Sequence, residues 1–218
     1  MTPAKRKEVN DEKIKAQGIA VNPYLPFTAA DDEVKLKSFD EICNRAIASL
    51  LTVQIALDAA NGEHKEAIEY FSDVMDRYGI KDKLNANEQA VYDGTFDQQQ
   101  LANVAWEYEC YWALVWALGL IGSDELEKVG EICDCEKAIA FVRDNGNDLR
   151  AICRLRSKEE ILDELDYFYR LHWACVQHRI KPDTPIGSMD EEVVMERRRG
   201  LEWLISDKDD WFDISLDT

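Results

Sequence analysis

Apolar residues recur at spacings of three and four along most of the chain, and no stretch alternates convincingly, so the pattern predicts helices. Ile42, Ala46, Ser49/Leu50, Val53 and Leu57 form one such stripe. Ser38-Phe39-Asp40-Glu41 opens it in capping-box form, a Ser followed three residues later by Glu. Asn61-Gly62 ends that helix. A second helix runs to Tyr78-Gly79, with Ala67, Tyr70, Phe71 and Val74 turned inward. Residues 85–93 hold a short helix closed by Gly94. Residues 97–118 form the most apolar helix, in which Trp106, Tyr108, Tyr111, Trp112 and Trp116 cover most of the circumference. A helix apolar all round is packed on several sides, which places this one at the centre. Gly119 and Gly122 end it.

Residues 134–144 and 148–156 read as two shorter helices around Asn145-Gly146-Asn147. Ser157-Lys158-Glu159-Glu160 is a second capping box and opens a long helix that stops near Ile180, before Pro182. Pro182, Pro185 and Gly187 make residues 181–188 a loop. A last helix spans about 190–205. Residues 1–20 read as a polar lead-in with a short helix before Gly18, and Asn22-Pro23-Tyr24-Leu25-Pro26 as an extended segment. The tail 209–218 keeps Trp211, Phe212, Ile214 and Leu216, so it is expected to dock onto the bundle. The expectation is an all-α, single-domain, irregular bundle of about seven to nine helices around a hydrophobic central helix, covering 1–218.

Charge narrows the partners. The chain has 26 Lys+Arg against 44 Asp+Glu, so 26 − 44 = −18 with His neutral. Such a balance repels phosphate backbones and anionic membrane surfaces, and is compatible with a basic protein partner. The expectation is therefore no nucleic acid and no membrane. The longest apolar run, residues 110–122, is shorter than the about 20 residues a span needs. The polar start has no apolar signal core, and Cys43, Cys110, Cys153 and Cys175 lie inside apolar helical patterns, so the six cysteines are expected to be free thiols in the cytoplasm.

Five ordered segments carry a resemblance. They are Leu25-Pro26; Trp106-Glu107-Tyr108-Glu109 through Trp116-Ala117-Leu118-Gly119; Glu160 through Ala174; Glu196-Arg197-Arg198-Arg199-Gly200-Leu201-Glu202-Trp203-Leu204; and the terminal Trp211-Phe212-Asp213 to Asp217-Thr218. In this order they resemble a mainly bacterial domain-of-unknown-function family, from about residue 5 to the end. That family usually has Ala where Gly200 stands, and a plain Trp-Asp where Trp211-Phe212-Asp213 stands. The resemblance implies a helical domain and neither a reaction nor a cofactor.

The candidate chemistry lies in inward charges. Arg197 falls on the stripe Val194, Arg197, Leu201, Leu204, and Arg170 follows Asp166 by four residues, a spacing that also fits a surface pair. Glu107 and Glu109 diverge by about 200° on a helix, so one is expected to face the core and one the surface, and a buried Glu107 needs a cation. We expect an internal polar network drawn from Glu107, Asp166, Arg170, His172, Glu196 and Arg197 that ties the central helix to the last two long ones. It either fixes helix register or lines a ligand-binding cleft.

His172-x-x-Cys175-x-x-His178 has metal-ligand types at helical spacing, with Cys133 or Cys135 as a fourth. But His172 lies on the stripe Ile161, Leu165, Phe168, His172, Cys175, and a neutral core imidazole is the favoured reading, so no metal is expected. Cys133-Asp134-Cys135 can bind metal or form a strained redox pair; the favoured reading is a helix start capped by Asp134. Trp112 and Trp116 read as core, and Trp203 and Trp211 as candidate partner anchors. There is no glycine-rich phosphate loop, no Gly-x-Ser-x-Gly and no His-Glu-x-x-His. The leading reading is a non-catalytic, protein-binding domain, in a sharper form an immunity-like inhibitor with an acidic face for a basic partner. The rival is a small-molecule-binding protein or enzyme built on the buried Glu/Arg/His cluster.

Overall fold

The structure, a computed structural model, describes residues 1–143 and 149–218. Among the described residues there are ten α-helices and no strand. They are α1 (Pro3–Ala16), α2 (Phe39–Ala60), α3 (His64–Tyr78), α4 (Ala86–Asp93), α5 (Gln98–Ala117), α6 (Ser123–Leu126), α7 (Cys135–Arg143), α8 (Leu149–Ile152), α9 (Lys158–Ile180) and α10 (Glu191–Trp203). Two of the ten, α6 and α8, are single turns. The expected break at Asn145-Gly146-Asn147 lies outside the described residues.

Local signals place most helix starts. Full capping boxes stand at Ser38–Glu41 and Ser157–Glu160, and also at Asn85–Glu88 and Asp97–Gln100. Each satisfies two amides that the first helical turn leaves without partners, and losing the cap side chain costs about 1 kcal/mol. Asp134 caps α7: its carboxylate accepts from Lys137 N at 3.0 Å.

α5 occupies the centre, against α2 on one side, α10 on another and α4 and α7 at its flanks. Every residue from Glu107 to Ala117 is buried, including Trp112 and Trp116. α2 is a second inner helix, buried with little interruption from Ile42 to Ala56. Among the described residues it is the one helix long and apolar enough to cross a membrane by length and composition, and 72% of its most apolar window is covered by this fold. α10 approaches α5 so closely that a Cβ on Gly200 would stand 2.6 Å from the Cys110 carbonyl oxygen.

Several expectations need correction. Tyr70 is 68% exposed, while Ala67 alone of the four expected inward residues of α3 is fully buried. Residues 22–26 are not extended but turn, with Leu25 N donating to Asn22 O at 3.2 Å and Tyr24 N to the Asn22 side chain at 2.9 Å. The turn forms because Pro23 suits its second position and Asn22 its first. Helix does not continue to Arg156. Arg154 N and Arg156 N instead donate to Leu118 O and Ala117 O, both at 2.8 Å, satisfying carbonyls that the end of α5 leaves free. Gly119 permits this, since it takes φ +74° and leaves the space that Arg154 O fills. The polar lead-in is packed, too: Arg6, Lys7, Asn10, Asp11 and Ile14 of α1 are buried against α9. In the tail, Trp211 is fully buried, with its ring edge-on to Trp203 and under the Arg45 guanidinium at 4.9 Å.

Candidate functional site

The six inward candidates are all buried, but of the six only Asp166 and Arg170 are hydrogen-bonded to each other. Four separate polar clusters and one short ladder divide them. Arg197 lies between α10, α5 and the irregular segment before α7. Its Nε donates to Glu109 Oε2 at 2.8 Å and its Nη1 to the carbonyls of Leu126 and Lys128, at 2.7 and 2.6 Å. Glu109 Oε1 accepts from Cys133 N at 2.7 Å. Arg170 stays with Asp166 in a two-pronged pair, at 2.8 and 2.7 Å. Asp166 also accepts from Asn10 of α1 and from Thr28, both at 2.8 Å. This is a buried junction of α1 and α9, not the surface pair that its spacing also fitted.

Glu107 sits in a third place. Its Oε1 accepts from Asn85 Nδ2 at 2.9 Å, and it lies against Glu88, whose own partners are Arg45 and Thr52. Burial first, and then the neighbouring Glu88 charge, raise Glu107 well above the usual carboxyl range, with Arg45 opposing. Among the described residues no cation pairs with Glu107 directly: Arg45, the guanidinium acting on it, hydrogen-bonds Glu88. His172 meets Arg198, a residue outside the expected set: its Nδ1 accepts from Arg198 Nη1 at 2.8 Å. Arg198 also donates to Leu216 O at 3.0 Å and Asp217 O at 3.1 Å, so it fastens the tail. Burial first, then the charge of Arg198, lower His172 to about 4, so the imidazole is neutral. Glu196 forms the short ladder, with Arg199 Nε at 2.9 Å and the Cys110 thiol at 3.3 Å.

The single network joining Glu107, Asp166, Arg170, His172, Glu196 and Arg197 is therefore corrected to separate attachments. A buried charge takes the nearest partner that completes its hydrogen bonds, since leaving it unpaired costs several kcal/mol. Arg197 takes Glu109, not Glu107. Both carboxylates are buried, 1% and 0% exposed, so the expectation that one faces solvent also falls. His178 Nδ1 faces Thr184 O at 2.7 Å, away from the His172 site. Among the described residues, no group of three or more His, Cys, Asp and Glu side chains is placed to hold a metal ion.

The cavities lie elsewhere. One of about 630 Å³ opens between α2, the turn before α4 and the tail, lined by Lys37, Arg45, Lys83, Trp203 and Asp209 among others. Of the six, Glu196 lines a smaller one of about 290 Å³ with Trp106, Arg199 and Phe212. On the other side of Trp106 is a recess of about 200 Å³ lined by Leu57, Trp106, Tyr108, Ile132 and Cys135. Three elements expose apolar side chains there: Ile132 is 59% exposed, Leu57 40% and Trp106 36%. Exposed Glu131, Asp134 and Glu136 adjoin Ile132 and Cys135 in the chain. Trp203 and Trp211, the expected partner anchors, are 4% and 0% exposed and belong to the core. The exposed indole is Trp106. Ile132 carries no periodic signal, because it stands in an irregular segment.

A family model described as a domain of unknown function, DUF4272, matches residues 6–214. The chain belongs to the DUF4272 family. No curated protein and no solved structure matches it. The match runs from Arg6 within α1 through α10 to Ile214, so it takes in the six candidate side chains but not Leu216 and Asp217, the tail partners of Arg198.

Proposed function

We propose that this DUF4272 domain is a non-catalytic protein-binding module. Its recess at Leu57, Trp106 and Ile132 takes one apolar side chain from a basic segment of a partner. The observation that carries this reading is the recess itself: an apolar dimple with three exposed apolar walls from separate elements, beside acidic side chains, on a chain of net charge −18. Apolar anchors set in a polar rim supply most binding energy at such surfaces, and opposite charge speeds encounter. Use of the six buried charges as a reaction centre has less support, since each is engaged in holding segments of the fold together.

The test is calorimetric titration of the reduced protein with a synthetic peptide carrying one Phe between Lys pairs. Binding is expected to weaken about ten-fold between low and moderate salt. It should weaken by a further ten-fold or more, over 1.4 kcal/mol, in Trp106→Ala or Ile132→Asp. The same peptide with Glu for Lys should not bind. Equal affinity for the wild type and both variants, or no binding to the basic peptide, overturns the proposal.

A further inference from the structure

Of the six cysteines, five are buried and Cys135 alone is half-exposed. It lines the apolar recess and occupies the first residue of α7, a nine-residue helix. Cys133 stands directly behind it, 6% exposed, with its backbone N–H fixed on Glu109 and Glu109 fixed on Arg197. One residue separates the two in the chain, and the Cys135 thiol lies 3.5 Å from the Cys133 carbonyl oxygen, while the Cys133 thiol lies 3.9 Å from Tyr108 O. The pair is thus asymmetric: one sulfur faces an open apolar surface, and the other is covered and held in place. Redox-active dithiols have this arrangement, with an accessible attacking thiol and a sheltered resolving one.

We infer that Cys135 and Cys133 form a thiol–disulfide exchange site that accepts a small neutral or cationic disulfide. The Cys135 thiolate attacks one sulfur of RSSR. A Cys135–S bond forms, the S–S bond of RSSR breaks, and the departing RS⁻ takes up the proton that Cys135 released. Cys133 then attacks the Cys135 sulfur. The Cys133–Cys135 bond forms, the second RS⁻ leaves, and it takes the Cys133 proton. Two protein thiols have lost two electrons, and RSSR has become two RSH.

The electrostatics agree with these roles. The Cys133 thiol beside it holds Cys135 below the ordinary thiol range, against the effect of burial. The same contact, then burial and the Glu109 charge, push Cys133 up. Exposure already makes Cys135 the attacking sulfur, and these directions agree with it. Glu131, Asp134 and Glu136 beside the pair disfavour an anionic disulfide, which sets the class of substrate. The dithiol stands whether or not a polypeptide docks in the recess, because the exchange needs only access to one sulfur.

The test treats the reduced full chain with cystamine, a cationic disulfide, or with oxidised glutathione, an anionic one, followed by intact mass and peptide mapping. The expected product is a chain two hydrogens lighter, bridged between Cys133 and Cys135. It should form at least about ten-fold faster than any modification of Cys43, Cys110, Cys153 or Cys175. Cystamine should react about ten-fold faster than oxidised glutathione at low salt, with the gap closing as salt rises. Cys133→Ser should stop at a mixed disulfide on Cys135, and Cys135→Ser should leave Cys133 reduced. Three results overturn the inference: earlier oxidation of the neighbouring Cys43 and Cys153 thiols, a mixed disulfide that persists on Cys135 in the wild type, or equal rates for the folded and the urea-unfolded chain. Failure of the peptide titration leaves all of these readouts intact, so the two ideas stand or fall separately.

Discussion

At His172 the core has taken in an imidazole without its charge. With the ring buried and Arg198 on Nδ1, protonation is deferred to about pH 4, whereas an unfolded imidazole protonates near 6.5. Between those values the unfolded chain binds the extra proton and the folded chain does not. Stability is therefore lost as pH falls from about 6.5 toward 4, and this residue contributes about 2–3 kcal/mol of that loss. His172→Gln should remove its share, so urea melts at pH 7 and pH 4.5 should differ less for the variant than for the wild type. An unchanged difference would rule the assignment out. The sequence stripe through Ile161, Leu165 and Phe168 already made His172 a neutral core residue. It could not name Arg198, because partner choice depends on how α10 is rolled against α9. The same limit applies to Arg197: its apolar stripe marked it as buried, yet which of two glutamates it meets depends on a fraction of a helical turn.

Elements were more legible than their contacts. Capping boxes and 3.6-residue periodicity are local signals, so α2, α3, α5, α9 and α10 lie close to where the pattern put them. Where the structure departs from local propensity, distant groups intervene. The segment after α8 leaves the helix because the end of α5 offers it carbonyl acceptors. Gly200 marks another long-range constraint. Its neighbour at 2.6 Å is backbone on α5, and Ala113 Cβ stands at 3.0 Å, so an added methyl must push the two helices apart. Gly200→Ala is expected to destabilise by about 1–3 kcal/mol despite the higher helix propensity of Ala. A thermal melt showing equal or greater stability would refute that packing argument. The surface was the least legible level. The recess needs Leu57 of α2, Trp106 of α5 and Ile132 of an irregular segment together, and no periodicity within one element encodes that meeting.

For the whole molecule, the acidic excess sits over a core in which positive charges are used one by one as fasteners. Arg197 ties the segment before α7, Arg198 the tail and Arg45 the start of α4. Arg170 and Arg6 hold α1, and here the character of the fastening changes. Of the five buried residues of α1, only Ile14 is apolar; the rest attach by polar bonds, such as Arg6 to Asp163 at 2.7 Å and Asn10 to Asp163 O at 3.0 Å. Contacts of that kind offer little of the apolar burial that binds a helix to the global unfolding transition. In native-state hydrogen exchange, the amides of α1 should lose protection through a sub-global opening of low free energy and small denaturant dependence. The amides of α5 should exchange only when the entire chain unfolds. Shared exchange behaviour of α1 and α5 across denaturant would contradict this. The N-terminal helix is then its own cooperative unit, and a protease given access to the native protein should cut first between it and α2.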